Sequence, residues 1–368
     1  MELKITVEEL AKALYRTQGI VERKTTNPVL SNVLLEASKD GGLTVSAFDM
    51  EIGLIGQHRC EVLKDGAVAL PARHLYDIVR SLPGPQVTLK RAANGQMEIQ
   101  AGSARFKIVA TPAEDYPALP RPEKQAAFEI AADVLEQMIE RTSFDISTDE
   151  TRYNLGGVFL EQAEKGGLRM VATDGHRLSL VERQVGGSAK LDKGVLIPKK
   201  GLLELRRLLG EEGGPCELGF TKGSAVFKRD GVVMVMRLLD GQFPDYRQVV
   251  PKESEKSVTV GRGALSDTLK RISLIASDKT SGVRLDLAED HVTVSSQNPD
   301  LGEAQEELAA KVVGAGLKIG FNARYLIEAL GVLSCDEIRL ELADELSPGV
   351  VRPVGEEGYL AVVMPMRI

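Results

Sequence analysis

Four consecutive residues near the middle of the chain, Asp174, Gly175, His176 and Arg177, carry a carboxylate, a turn residue, an imidazole and a guanidinium. Two chemistries fit them. Asp174 and His176 suit an acid–base pair, because a histidine near its ordinary pKa moves protons at neutral pH. The same residues also suit a tight turn, with Asp174 bonding its own backbone, Gly175 supplying the permissive angles and His176 half buried. An enzyme would need a nucleophile, a metal set or a cofactor motif beside the pair. Cys60, Cys216 and Cys335 are single and widely spaced, and His58, His74, His176 and His291 do not pair at metal-ligand spacing. No phosphate-binding glycine motif stands at a strand-to-helix junction. The expectation is therefore no catalytic residue, no metal and no cofactor.

The composition bounds the rest. At 368 residues the chain is expected to form two or three domains. Its 43% hydrophobic and 27% charged content is that of a soluble globular protein. No apolar run is long enough to span a membrane, and the acidic start MELKITVEEL argues against an export signal. Unpaired cysteines then place it in the cytoplasm. A net charge of −7 excludes a uniformly basic nucleic-acid binder but permits one basic face.

The elements that position the central turn come in three copies. Residues 3–19 (LKITVEELAKALYRTQG), 128–144 (FEIAADVLEQMIERTSF) and 257–276 (SVTVGRGALSDTLKRISLIA) each read as a strand followed by an amphipathic helix. Leu10, Ala13 and Leu14 correspond to Leu135, Met138 and Ile139, then to Leu265, Thr268 and Leu269, at a spacing that makes one apolar stripe. A second helix follows in each copy, over 70–84, 196–210 and 319–333. Pro71 and Pro198 stand at helix starts, Asn322 caps the third, and Gly84 and Gly210 are expected to end theirs. Period-two alternation between them predicts antiparallel strands. The copies close on similar strands, FKIVATPAEDYPAL (106–119), VMRLLDGQFPDYRQV (235–249) and YLAVVMPMRI (359–368). The expected architecture is α+β: three tandem domains, 1–125, 126–254 and 255–368, each with two helices on an antiparallel sheet. The helices carry Lys12, Arg16, Arg73, His74, Arg80, Arg141, Lys199, Lys200, Arg206, Arg207, Lys270, Arg271 and Arg324 among acids, a modest basic bias on a surface otherwise acidic.

With the repeats, ATDGHR (172–177), FPDYR (243–247) and a terminal MPMR (364–367), the chain resembles the bacterial sliding clamps, the beta subunits of DNA polymerase III, over its whole length. Asn27-Pro28-Val29-Leu30, Pro71-Ala72-Arg73, Thr151-Arg152-Tyr153 and Gly320-Phe321-Asn322 add to the match. The resemblance implies a head-to-tail dimeric ring with helices inside around duplex DNA and sheets outside. It further implies a processivity factor without catalysis that tethers the polymerase III catalytic subunit and clamp-loader subunits. Repair or translesion polymerases and mismatch-repair proteins carrying QLxLF-type motifs join the same list.

Residue by residue, the resemblance implies a partner-peptide groove from Leu155, Thr173, Gly175, His176, Arg177, Leu178, Pro244 and Val249. Asn322, Tyr325, Leu346, Val362, Val363, Met364, Pro365, Met366 and Arg367 complete it, with methionines and aliphatics forming an adaptable slot. His176 and Arg177 then serve as wall and hydrogen-bond donors. DNA-facing positions are Lys24, Arg73, Arg80, Arg152, Tyr153, Lys199 and Lys200. For the dimer contact the resemblance implies Phe106 and Ile108 of the first domain against Leu274 and Ile275 of the third domain in the other subunit, with Arg105 and Lys107 facing Asp300, Glu303, Glu306 and Glu307. The chain departs from the family pattern at Gln248, where many relatives have a second arginine, and at Asn154, where a tyrosine is common. Pro348 replaces a small polar residue, and the Gly/Pro-rich stretch 347–358 also differs.

Overall fold

Each helix forms where an apolar stripe meets a start signal. In the computed structural model, which describes residues 1–21, 27–120, 126–163, 166–187, 190–211, 213–251, 254–277 and 281–367, six α-helices occur among the described residues. Helix α1 (Val7–Thr17) is capped by Thr6, whose hydroxyl accepts from the Glu9 amide at 3.2 Å, with Glu8 and Glu9 in its first turn and Arg16 in its last. It buries Leu10, Ala13, Leu14 and Thr17. Helices α2 (Ala72–Ser81) and α3 (Ala132–Ser143) bury Leu75 and Val79, and Leu135, Met138 and Ile139. Helix α4 (Lys199–Leu209) buries Leu202 and Leu205, and α5 (Arg262–Ile272) buries Leu265, Thr268 and Leu269. Helix α6 (Ala323–Gly331) starts at Asn322, whose side chain accepts from the Arg324 amide at 2.9 Å. The stripe positions expected from spacing are thus all core. One end differs: α2 stops at Ser81, short of Gly84, because Leu82 precedes Pro83 and is held extended (ψ 138°).

All strand pairs among the described residues are antiparallel, and the chain divides into two units that do not follow the three repeats. The first comprises Met1–Asp133, Gly186–Lys190 and Lys200–Leu238. It holds a five-stranded sheet in which Ala104–Ile108 is an edge, and a nine-stranded sheet. That larger sheet is continuous because Val232–Arg237, from the middle repeat, pairs with Ile52–His58 from the first, Met234 opposite Leu54. Helices α1 and α2 pack together in this unit.

The second unit comprises Val134–Val185, Leu191–Lys199 and Leu239–Ile368. Its nine-stranded sheet joins Arg177–Arg183 to Tyr359–Val363, with Leu178 opposite Val362 and Leu180 opposite Leu360. A four-stranded sheet ends on the edge strand Gly302–Ala309, and α5 packs against α6. The stretch 347–358 is less a loop than its composition suggests. Gly349–Pro353 is an inner strand whose Val350 and Val351 are core, and Gly349 has no room for a side chain against the Phe321 ring.

Candidate functional site

The Asp174–Arg177 segment is the turn of the hairpin between Leu168–Thr173 and Arg177–Arg183. Asp174 Oδ1 accepts from the amides of His176 (2.9 Å) and Arg177 (3.1 Å), and Thr173 Oγ1 accepts from the Gly175 amide at 3.0 Å. Gly175 has φ +90°, a region open to glycine at little cost. The Asp174 carboxylate is spent on its own turn and on Arg177 Nε at 3.0 Å, and His176 stands exposed beside it. Of the two chemistries offered by the sequence, the turn is the one built.

Arg177 is the keystone of the turn. Its guanidinium donates to Asp174, Glu328 and the Phe144 carbonyl (2.9 Å), and lies 4.5 Å from the Tyr325 ring centroid and 5.5 Å from that of Phe144. Beneath it sits the fully buried Asp145, with Oδ1 2.9 Å from Arg177 Nε and Oδ2 accepting from the Ser179 hydroxyl. Burial pushes the Asp145 carboxyl up to about 7, against the opposing pull of Arg177 and Ser179. With its N–H groups committed inward, Arg177 is a positioning residue for the turn and for Tyr325 rather than the free donor the sequence suggested. Asp145, Ser179, Glu328 and Phe144 were missed in the sequence. Only the apolar setting of Asp145 between Phe144 and Ile146 hinted that its charge needed an internal partner.

Around this turn lies an apolar cluster built from Leu155, Val171, Leu178, Leu196, Phe243, Tyr246, Val350, Leu360 and Val362. The segment 243–248 is locked onto it: the Tyr246 hydroxyl donates to Glu161 (2.5 Å) and accepts from Arg169 (3.0 Å), Arg247 donates to Glu161 (2.7 Å), and Phe159 stacks on Phe243 at 5.0 Å. The chain's last residues close the other side, the Met364 amide donating to the His176 carbonyl and the Met366 amide to the Gly320 carbonyl, both at 2.9 Å. His176, Pro244, Val249, Leu346 and Met364 are exposed, and Thr173, Asn322, Tyr325, Pro365 and Met366 are half-buried, with Arg367 exposed at the end. Four of the expected groove residues are buried. Leu155, Leu178, Val362 and Val363 are core, Val362 and Val363 at 1% exposure, because every residue of strand Tyr359–Val363 is buried, on both of its faces. Gln248 bonds Asp245 at 2.9 Å, Asn154 donates to the Gln242 carbonyl at 3.1 Å, and Pro348 is half-buried.

The other sequence-derived positions separate into free and committed groups. Arg73, Arg80 and Tyr153 are exposed, and Lys199 is half-buried. Lys200 is tied to the buried Asp49, and Arg152 to Asp149 (3.0 Å) and the Asp174 carbonyl (2.9 Å), so their charges are largely answered within the chain. Lys24 lies outside the described residues. At the edge strand Ala104–Ile108, Arg105, Phe106 and Lys107 are exposed and Ile108 half-buried; Lys107 pairs with Glu98 at 2.9 Å. Leu274 exposes 77% of its surface and Ile275 is half-buried. Asp300, Glu303 and Glu307 are exposed on or beside the edge strand Gly302–Ala309. Glu306 differs, because the strand period turns it to the opposite face, where it accepts from Arg271 (2.9 Å) and Thr268 (2.7 Å). The Arg271 hydrogen bond is the main cause that holds its carboxyl down at about 2.

Family profiles described as the N-terminal, central and C-terminal domains of the DNA polymerase III beta subunit match residues 1–120, 129–245 and 247–367. The chain is 34% identical over 373 residues to the beta sliding clamp of Caulobacter vibrioides and 36% over 371 to that of Pseudomonas aeruginosa, in both cases covering all of each chain. It superposes on the crystal structure of the DNA polymerase III subunit beta from Pseudomonas aeruginosa with a TM-score of 0.95 and 34% identity, over 100% of both chains. Three tandem clamp domains of antiparallel sheet and helix define the class. The chain belongs to the DNA polymerase III beta subunit family, the bacterial sliding clamps, and its function is that of a processivity clamp.

Proposed function

We propose that this chain works as a head-to-tail homodimeric ring, its three domains spanning 1–125, 126–254 and 255–368, that encircles duplex DNA with its helices inward. The groove between the Asp174–Arg177 turn and the last residues tethers partners. The observation that supports this reading is the apolar cluster holding Leu155, Leu178 and Val362, whose strands are flanked by His176 and Met364, joined by the Met364 amide and the His176 carbonyl, with Val249 and Leu346 also exposed. That composition suits a short extended peptide with terminal hydrophobic side chains, and no bond is made or broken there. The partners are the polymerase III catalytic subunit, clamp-loader subunits, and repair, translesion or mismatch-repair proteins with QLxLF-type motifs, in the cytoplasm.

Two exposed sheet edges of opposite character support the ring. Ala104–Ile108 offers Arg105 and Lys107 with Phe106 at 37% exposure, and Gly302–Ala309 offers Glu303 and Glu307 near Leu274. Pairing these edges between two copies removes both from solvent and matches their charges. Arg73, Arg80, Tyr153 and Lys199 then contact the duplex without sequence preference, Lys200 and Arg152 contributing less because of their internal partners. The test is a titration with a QLxLF peptide by calorimetry. Met364→Ala is expected to weaken binding about 10-fold or more, from loss of a buried thioether contact. Unchanged affinity in both Met364→Ala and Met366→Ala would remove the groove from the proposal.

A further inference from the structure

Away from the groove, the first unit contains a cleft of about 500 Å³ whose lining includes Tyr15 and Gln18 of α1 and its end, and Arg73, His74, Tyr76 and Arg80 of α2. Among the described residues, Arg73 and Arg80 make no ion pair, and Asp77 is the one acid in the lining. In a chain of net charge −7 this is a local excess of positive charge.

Two tilted aromatic rings there each carry one guanidinium. The Arg207 guanidinium lies 5.1 Å from the Tyr15 centroid, Tyr15 and Tyr76 are 6.2 Å apart at 42°, and Arg80 lies 5.3 Å from the Tyr76 centroid. Arg207 is itself fixed, donating to the carbonyls of Tyr15 (3.1 Å) and Arg16 (2.5 Å) and pairing with Glu204 at 2.8 Å. Tyr15 is therefore held from behind while 45% of its surface remains open. A ring backed by a guanidinium and facing a cationic cleft is a stacking platform.

Duplex DNA has its base faces inside the stack, so it can use Arg73 and Arg80 through phosphates but not the tyrosine rings. An unpaired nucleotide uses both at once, its base on Tyr15 and Tyr76 and its phosphate on the arginines. We propose that this cleft holds an unpaired nucleotide of single-stranded DNA. The inference rests on the DNA-encircling reading above, which brings strands to α1 and α2, and it adds a selectivity for unpaired nucleotides.

The test uses fluorescence anisotropy of labelled oligothymidylate and of an equal-length duplex, titrated with the full-length protein at low salt. Tyr15→Leu and Tyr76→Leu are each expected to weaken oligothymidylate binding about tenfold and duplex binding less than about twofold. Tyr15→Phe keeps the ring and is expected to bind like the parent. Arg73→Ala weakens both ligands and lowers the salt slope by about one. Equal weakening of both ligands by the leucine variants, or none, overturns the proposal. So does competition by thymidine monophosphate at the same concentration as the oligonucleotide, which would mark a free-nucleotide site. Retention on nicked circular duplex after loading is measured alongside. Its loss in the parent protein would sink the clamp reading itself, whereas its persistence with no leucine effect would sink only the cleft.

Discussion

Replacing Arg177 with alanine tests the arrangement on which the groove depends. The side chain joins the turn carboxylate Asp174, Glu328 on α6, the Phe144 carbonyl and the buried Asp145, and it supports the Tyr325 ring. Removing it leaves Asp145 in a buried site with the Ser179 hydroxyl as its main remaining partner. Breaking such a pair from one side costs about 3–5 kcal/mol, because the remaining charge stays desolvated. The cost has a defined pH dependence. Asp145 is pushed up to about 7 in the folded chain from an ordinary 3.8, so its protonation favours the folded state. That contribution is complete below the unfolded value and is lost as pH rises through 7. Without Arg177 the folded value moves higher still, so the deficit of Arg177→Ala should grow from pH 6 to pH 9. In a double-mutant cycle with Asp145→Asn, the coupling should reach about 2–3 kcal/mol at pH 8.5 and shrink below about 1 kcal/mol near pH 5.5. Urea unfolding followed by far-ultraviolet circular dichroism suits a chain without tryptophan. A coupling that is the same at both pH values would refute the reasoning.

Two further outcomes are expected. Phe106→Asp should convert the dimer to monomer at micromolar concentration in sedimentation velocity, because the edge strand would then carry a charge where Phe106 is exposed; an intact dimer would exclude this edge. Tyr246→Phe removes the hydroxyl shared by Glu161 and Arg169 and should cost about 1.5–3 kcal/mol in urea unfolding while leaving the secondary structure unchanged. A loss near zero would mean that the segment 243–248 is held without the Tyr246 hydroxyl, by the Phe159–Phe243 stack and the Arg247–Glu161 pair.

Helix positions were legible because a three-and-four spacing of apolar residues projects onto a single stripe whatever lies opposite it. Leu10, Ala13 and Leu14 needed no partner to be named as core. The start signals, Asn322 above all, are equally local. The end of α2 was read too late because Gly84 drew attention from the stronger constraint of Pro83 on the residue before it. Accessibility was harder. Val362 and Val363 belong to the terminal motif expected to line a groove, yet both are core, because every residue of strand Tyr359–Val363 is buried.

Pairing across repeats was beyond the sequence. A period-two strand states which face is apolar but not which strand it joins, so the seams of Val232–Arg237 with Ile52–His58 and of Arg177–Arg183 with Tyr359–Val363 came only from the fold. The same holds for charge. The sequence determined that arginines and lysines stand on the helices and beside the turn, and that three copies of one unit carry them. Only the tertiary structure decided that Arg177 turns inward onto Asp145, that Lys200 is answered by Asp49 and that Arg73 is exposed. A side chain's charge is written in its type, but its neutralisation depends on residues far along the chain brought within hydrogen-bond distance.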